Sequence, residues 1–147
     1  MAMLTFYTNP QSRGRMVRWM LEEVGAPYET RILTFADTMK SPEYLAVNPM
    51  GKVPAITHGD QVVTEVAAIC AYLADAFPEA GLAPPPAERA AYYRWLFSAA
   101  GPVEMAMAGR AHNLEAPPEK AGHVGYGSFD LTINALEKAV SAGPYVA

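Results

Sequence analysis

The sequence predicts an α/β unit of order β-α-β-α-β-β-α with a mixed sheet, followed by an all-helical region. Three observations predict it. Over the first half, short β-prone stretches alternate with segments of helical period. The stretch "PEAGLAPPPAE", dense in Pro, Gly and Ala, then interrupts the pattern. Beyond it only helical periodicity remains. The resulting boundaries are a first domain over 1–78, a linker over 79–87 and a partial all-helical domain over 88–147.

Each element has its own signal. "MLTFY" is short and alternating, a first strand. In "SRGRMVRWMLEEVG", Met16, Met20 and Val24 share one side with Val17 and Leu21 beside them, and Gly25 and Pro27 end the helix. "YETRIL" reads as the second strand. "SPEYLAVNP" is a short helix with Ser41 as cap and Pro42 at its first position. "VPAITH" and "QVVT" form a hairpin through Gly59-Asp60. A helix capped by Thr64, with Glu65 in its first turn, then runs to Pro78. Past the linker, one long helix is predicted to kink at Gly101-Pro102. A last helix, capped by Ser128 and stopped by Gly143-Pro144, places Phe129, Ile133, Leu136 and Val140 on one face. Most of Tyr92, Tyr93, Trp95, Phe97, Met105 and Met107 are expected in the core. Two long amphipathic helices bury only part of their apolar stripes, so further helices or a partner are expected to cover the rest.

Composition sets outer bounds. With 147 residues, 51% hydrophobic and 18% charged, the chain supports a buried core and argues against disorder. A net charge of −4 argues against a nucleic-acid surface. One cysteine excludes an internal disulfide and fits a reducing compartment. The start "MAMLTFYTNP" has no basic leader with a long apolar stretch, and no apolar run approaches the ~20 residues of a membrane span. The expectation is a soluble, cytoplasmic protein with neither nucleic-acid nor membrane partners.

The chemistry concentrates in "NPMGKVPAI", Asn48 to Ile56. A proline before a short strand has access to the cis form at a cost of only ~0.5–1 kcal/mol. Such a corner leaves the Val53 N–H and C=O free to pair with an extended peptide, and Gly51 permits a close approach. For these residues alone, an ordinary turn between helix and strand is the stronger reading. Two helix starts add to it. The first helix carries Arg13, Arg15 and Arg18 early and Glu22 and Glu23 late, against the dipole. An Arg18–Glu22 pair on a solvated face accounts for Arg18 and leaves Arg13 and Arg15 for an anionic ligand. At the second start, Glu65 either matches the helix dipole or holds an ammonium while neighbouring N–H groups hold a carboxylate. Together these describe a site for a small zwitterionic peptide.

The order of elements, "NPMGKVPAI", and "TEVAAICAYLAD" about ten residues later resemble the cytosolic glutathione transferases of bacterial type, over the whole chain. The resemblance implies a thioredoxin-like glutathione-binding domain, a helical domain and a homodimer. It implies that glutathione is the co-substrate, without a metal, and that a small apolar electrophile is the partner. It assigns Val53, before Pro54, to the backbone of glutathione's cysteine, and Glu65 and Val66 to its γ-glutamyl end. The family commonly carries Ser where Val66 stands. Val66 keeps the N–H but not the hydroxyl, and a hydrogen bond to a charged group is worth ~1.5–3 kcal/mol, so binding is expected to be about one to two decades weaker. Arg13 and Lys52 are the cationic candidates for glutathione's carboxylates, with Arg15 as a further one.

The implied chemistry is thiol activation. A free thiol has a pKa of ~8.5, and a hydroxyl donor with a helix N-terminus lowers it by ~2 units, roughly 2.7 kcal/mol. The candidates are Ser12 at the helix start, Tyr7 at the end of the first strand and Asn9 between them. Ser12 ranks first by position, although an ordinary N-cap reads the same way. Tyr7 is expected to pack or to line the pocket. The thiolate then attacks an electrophilic carbon; the alternatives are a glutathione-dependent peroxide or disulfide reductase and a non-catalytic glutathione-binding module. Cys70 reads as a structural thiol, and His58, His112 and His123 lack metal-ligand spacing.

Overall fold

Four strands form one mixed sheet in the order β2-β1-β3-β4, comprising β1 (Leu4–Thr8), β2 (Glu29–Ile32), β3 (Ala55–His58) and β4 (Gln61–Thr64). The structure, a computed structural model, describes residues 2–146. β1 pairs with β2 in parallel and with β3 antiparallel, and β3 and β4 form the predicted hairpin with Gly59 at φ +59°. The parallel pair needs a crossover, and α1 (Gly14–Val24) supplies it. The chain divides into two units, Met1–Ala83 and Pro84–Ala147.

Alternation along β1 sorts the first unit's interior into two clusters. Leu4 and Phe6 join Val17 and Leu21 of α1, Ile56 of β3, and Ile69, Leu73 and Phe77 from α3 (Val66–Ala76) and its end. On the other face Tyr7 packs with Met39, Tyr44, Ala55 and Val53, beside the short α2 (Pro42–Leu45). The expected caps hold on α2: Ser41 accepts from the Tyr44 N–H, and Pro42 opens the helix.

Why α1 begins at Gly14 is steric. A Cβ there would lie 2.1 Å from the Thr8 Oγ1, so only glycine lets the helix start press on the end of β1. The helix ends at Gly25, whose left-handed φ of +70° and N–H bond to the Leu21 carbonyl are the predicted stop. The Arg18–Glu22 pair forms at 2.8 Å on the exposed face, where such a pair adds little. Glu22 also accepts from the Tyr28 hydroxyl, 2.6 Å away.

Two expectations fail in the first unit's last helix. Thr64 does not cap α3; it is the last residue of β4. Glu65 is not in the first turn but at the cap position, with φ +66° and no side-chain cap bond. The strand runs into the helix through this one residue, and so sharp a turn demands a left-handed backbone.

The second unit is helical: α4 (Arg89–Ser98), a π-helical turn over Ala99–Val103, α5 (Glu104–His112) and α6 (Phe129–Ser141). The predicted kink at Gly101-Pro102 takes the form of that π turn. Ser128 caps α6 by accepting from the Leu131 N–H at 3.2 Å. The expected core of aromatics and methionines is absent from these helices. Tyr92 and Trp95 are half-buried, and Tyr93, Phe97, Met105 and Met107 are exposed. On α6 the predicted apolar face is only half-buried, Val140 is exposed, and the buried residue is Thr132, which donates to the Tyr126 carbonyl at 2.9 Å. A shared helical face is legible from period, but burial requires an element to lie on it.

Gly14→Ala is expected to destabilise the first unit by about 1–3 kcal/mol through overpacking. Urea denaturation checks this, and Thr8→Ala in the same chain is expected to restore part of the loss.

Candidate functional site

Strand pairing gathers three loops at one end of the sheet. Tyr7 faces Ala55 and Ala55 faces Thr64. The segment leaving β1, the segment entering β3 and the residue leaving β4 therefore adjoin one another. They carry Asn9 and Ser12, Val53 and Pro54, and Glu65 and Val66 respectively.

The Val53–Pro54 bond is cis. Pairing of β3 begins at Ala55, so the main chain of half-buried Val53 lies outside the ladder. The preceding loop is tied down by groups that sequence reasoning did not single out. The Lys52 carbonyl accepts from the Tyr44 hydroxyl and, at 2.9 Å, from Asn48 Nδ2. Asn48 Oδ1 accepts from the Met50 N–H at 3.1 Å, and its carbonyl from the Gly51 N–H at 2.8 Å. Lys40 Nζ donates to the carbonyls of Met50 and Gly51 at 3.1 and 2.9 Å. Gly51 is buried at φ +58°, where a Cβ would lie 2.7 Å from the Met39 carbonyl oxygen. Asn48 before Pro-x-Gly was the available signal, since Asn side chains bond their own backbone two residues on. Tyr44 and Lys40 act across ten residues or so and leave no such local trace.

Tyr44 is buried and its phenol is pushed up to about 12, chiefly by burial. Its ring lies 5.5 Å from that of Tyr7. Tyr7 is thus half-buried in the second cluster, on the sheet face away from α1.

Ser12 Oγ donates to the Asn9 carbonyl at 2.7 Å and accepts from the Gly14 N–H at 3.0 Å. It therefore serves the helix start, although Arg13 occupies the cap position. The Asn9 amide is occupied at both ends: Nδ2 donates to the Leu33 carbonyl at 2.8 Å, and Oδ1 accepts from the Gln11 N–H at 2.9 Å.

The remaining candidates are placed as follows. Arg13 and Lys52 are exposed, the first at the start of α1 and the second beside Val53. Arg15 lines a groove of about 630 Å³ between α1 and β2 with Phe6, Trp19 and Ile32. Glu65 is exposed and Val66 half-buried at the start of α3. Cys70 is half-buried, and burial pushes its thiol up. His58 bonds the Tyr72 hydroxyl at 2.9 Å and stacks on Phe77. Among the described residues no group of three or more His, Cys, Asp or Glu is placed to hold a metal, and no helix is long and apolar enough to cross a membrane.

The family model described as "Glutathione S-transferase, N-terminal domain" matches residues 12–76. A glutathione transferase homologue from Sulfitobacter, solved with bound glutathione, is 30% identical with a TM-score of 0.71, over 99% of this chain and 74% of its own. The chain belongs to the glutathione transferase family. A glutathione transferase from Phanerochaete chrysosporium, in complex with oxidized glutathione, is 27% identical with a TM-score of 0.75 over 99% of this chain and 71% of its own. Glutathione S-transferase 1 of Zea mays is 49% identical over 55 residues, 37% of this chain. The match spans only 26% of that maize protein. The fold is accordingly the family's: a thioredoxin-like α/β unit followed by a helical one.

The raised Tyr44 pKa has a definite pH signature. Folding favours the neutral phenol, so its contribution is fully present below the ordinary pKa of 10 and is lost as pH rises toward about 12. Chemical denaturation of the protein and of Tyr44→Phe between pH 8 and about 12 is expected to show a smaller alkaline loss in the variant. Parallel curves would show that Tyr44 ionises as freely folded as unfolded.

Proposed function

We propose that the protein binds glutathione at this end of the sheet, stabilises its thiolate and conjugates it to small apolar electrophiles. The observation that carries the reading is the cis Val53–Pro54 corner, held off the ladder by Tyr44, Asn48 and Lys40 beside the loops of Ser12 and Glu65. A main chain held open in this way suits pairing with the cysteinyl residue of the tripeptide. Pro54 sets the corner. The Glu65 carboxylate takes the γ-glutamyl ammonium and the Val66 N–H its carboxylate, at a helix start where free N–H groups favour an anion. Arg13 and Lys52 attract the carboxylates, and Tyr7 lines the pocket.

Ser12 is the thiolate donor in this reading. Its oxygen stays held by the Gly14 N–H while the proton turns from the Asn9 carbonyl to the sulfur. The Asn9 carbonyl keeps a partner, since it also accepts from the Ser12 N–H at 3.0 Å. The thiol proton leaves to solvent. The sulfur lone pair forms the C–S bond as the leaving group departs with its electrons. The working protein is a cytoplasmic homodimer, with a glutathione-binding domain over 1–78, a linker over 79–87 and a helical domain over 88–147.

Ultraviolet titration of the thiolate in bound glutathione tests this. The account expects a pKa about 2 units below the free thiol's ~8.5, and a rise of about 1 unit in Ser12→Ala with affinity kept within threefold. An unshifted thiol in the unaltered protein contradicts it. Turnover is expected with aryl halides rather than with hydroperoxides or disulfides. Val66→Ser is expected to tighten glutathione binding about tenfold or more, measured by calorimetry.

A further inference from the structure

The Asn9 side chain ties the Ser12 loop to the chain just past β2. Its Oδ1 accepts from the Gln11 N–H at 2.9 Å inside the loop, and its Nδ2 reaches the Leu33 carbonyl at 2.8 Å, just past β2. Its main-chain carbonyl holds both the N–H and the hydroxyl of Ser12, at 3.0 and 2.7 Å. Only an amide fits, because one end must accept and the other must donate. A carboxylate would set an acceptor against the Leu33 carbonyl, and alanine would release both ends. Leu33 is itself fixed, since its N–H donates to the Thr8 carbonyl at 2.8 Å and its side chain packs in the cluster of Met39, Tyr44 and Ala55. The loop bearing Ser12 is thereby anchored to the cluster that carries the Tyr44 clamp on the corner.

From this geometry we infer that Asn9 is the positioning residue of the Ser12 hydroxyl and not itself a donor to the thiol. The inference rests on Ser12 acting as the thiolate donor. Asn9 sets where the Ser12 oxygen sits, and the amide nitrogen is turned away to Leu33. Its effect on the thiol therefore passes through Ser12 alone.

The test is a double-mutant cycle read on the pKa of bound glutathione's thiol, with amide hydrogen exchange at Gly14 in the free protein. Asn9→Ala is expected to raise the thiol pKa by about half a unit or more, and Asn9→Ala with Ser12→Ala to match Ser12→Ala alone. In the free protein, Asn9→Ala is expected to speed Gly14 exchange about tenfold and to leave Gly25, at the other end of the same helix, unchanged. Should Asn9→Ala not fold, Asn9→Asp, which keeps the Gln11 contact and loses the one to Leu33, is expected to speed Gly14 exchange in the same way. Additive pKa shifts overturn the inference, because Asn9 would then donate on its own. A lowered melting temperature with thiol pKa and Gly14 exchange unchanged also overturns it, leaving a structural role only. A thiol pKa that ignores Ser12→Ala, with Gly14 exchange still responding to Asn9, sinks the donor reading while the positioning of Ser12 stands.

Discussion

Two buried donors converge on one carbonyl. The Tyr44 hydroxyl and the Asn48 amide both end on the oxygen of Lys52, immediately before the cis bond at Val53–Pro54. Each would be costly to leave unpaired inside the unit, so the carbonyl is held from two directions. Tyr44 also fills the second cluster against Tyr7 and Ala55, which makes the corner's position a consequence of core packing. The main-chain oxygen immediately before Val53 is thus occupied from both sides, and β3 pairing begins only at Ala55.

The rest of the site follows from ladder register. Antiparallel pairing of β1 with β3 and of β3 with β4 brings the end of one strand to the start of the next and so shares one rim among three loops. A register slip of one residue would turn Tyr7 and Phe6 to each other's faces and break both clusters. The rim is therefore protected by the same burial that stabilises the sheet. Glu65 adds a local constraint at this rim, as an acidic residue at φ +66° bridging strand and helix alone. A non-glycine residue in that region is uncommon and costs of order 1–3 kcal/mol, a cost often tolerated where a side chain must be aimed at a ligand.

Local chemistry was legible in the sequence and long-range chemistry was not. Gly25, Ser41 with Pro42, Gly59 and Ser128 each announced an end or a turn that the structure has, because the cause lies within three or four residues. The Pro54 corner was legible for the same reason. Glu65 was misread because a capping Thr64 is ordinary in a helix start, whereas the direct run of β4 into α3 depends on the sheet's length. Tyr93, Phe97, Met105 and Met107 were assigned to the core on composition and period, neither of which shows what covers a helix face. Asn9 stood third among the candidate donors because its amide has protons to give; its bond to the Leu33 carbonyl, 24 residues away, is long-range and left no local trace.

The central claim is that the Val53 main chain reads a peptide. The most direct measurement is a nuclear magnetic resonance titration of backbone amides with glutathione. The account predicts saturable shifts largest at the Val53 and Val66 amides, with Gly25 and the amides of α6 unmoved. Saturable shifts that leave Val53 still, or that centre on the groove of Arg15, Trp19 and Ile32, would contradict it.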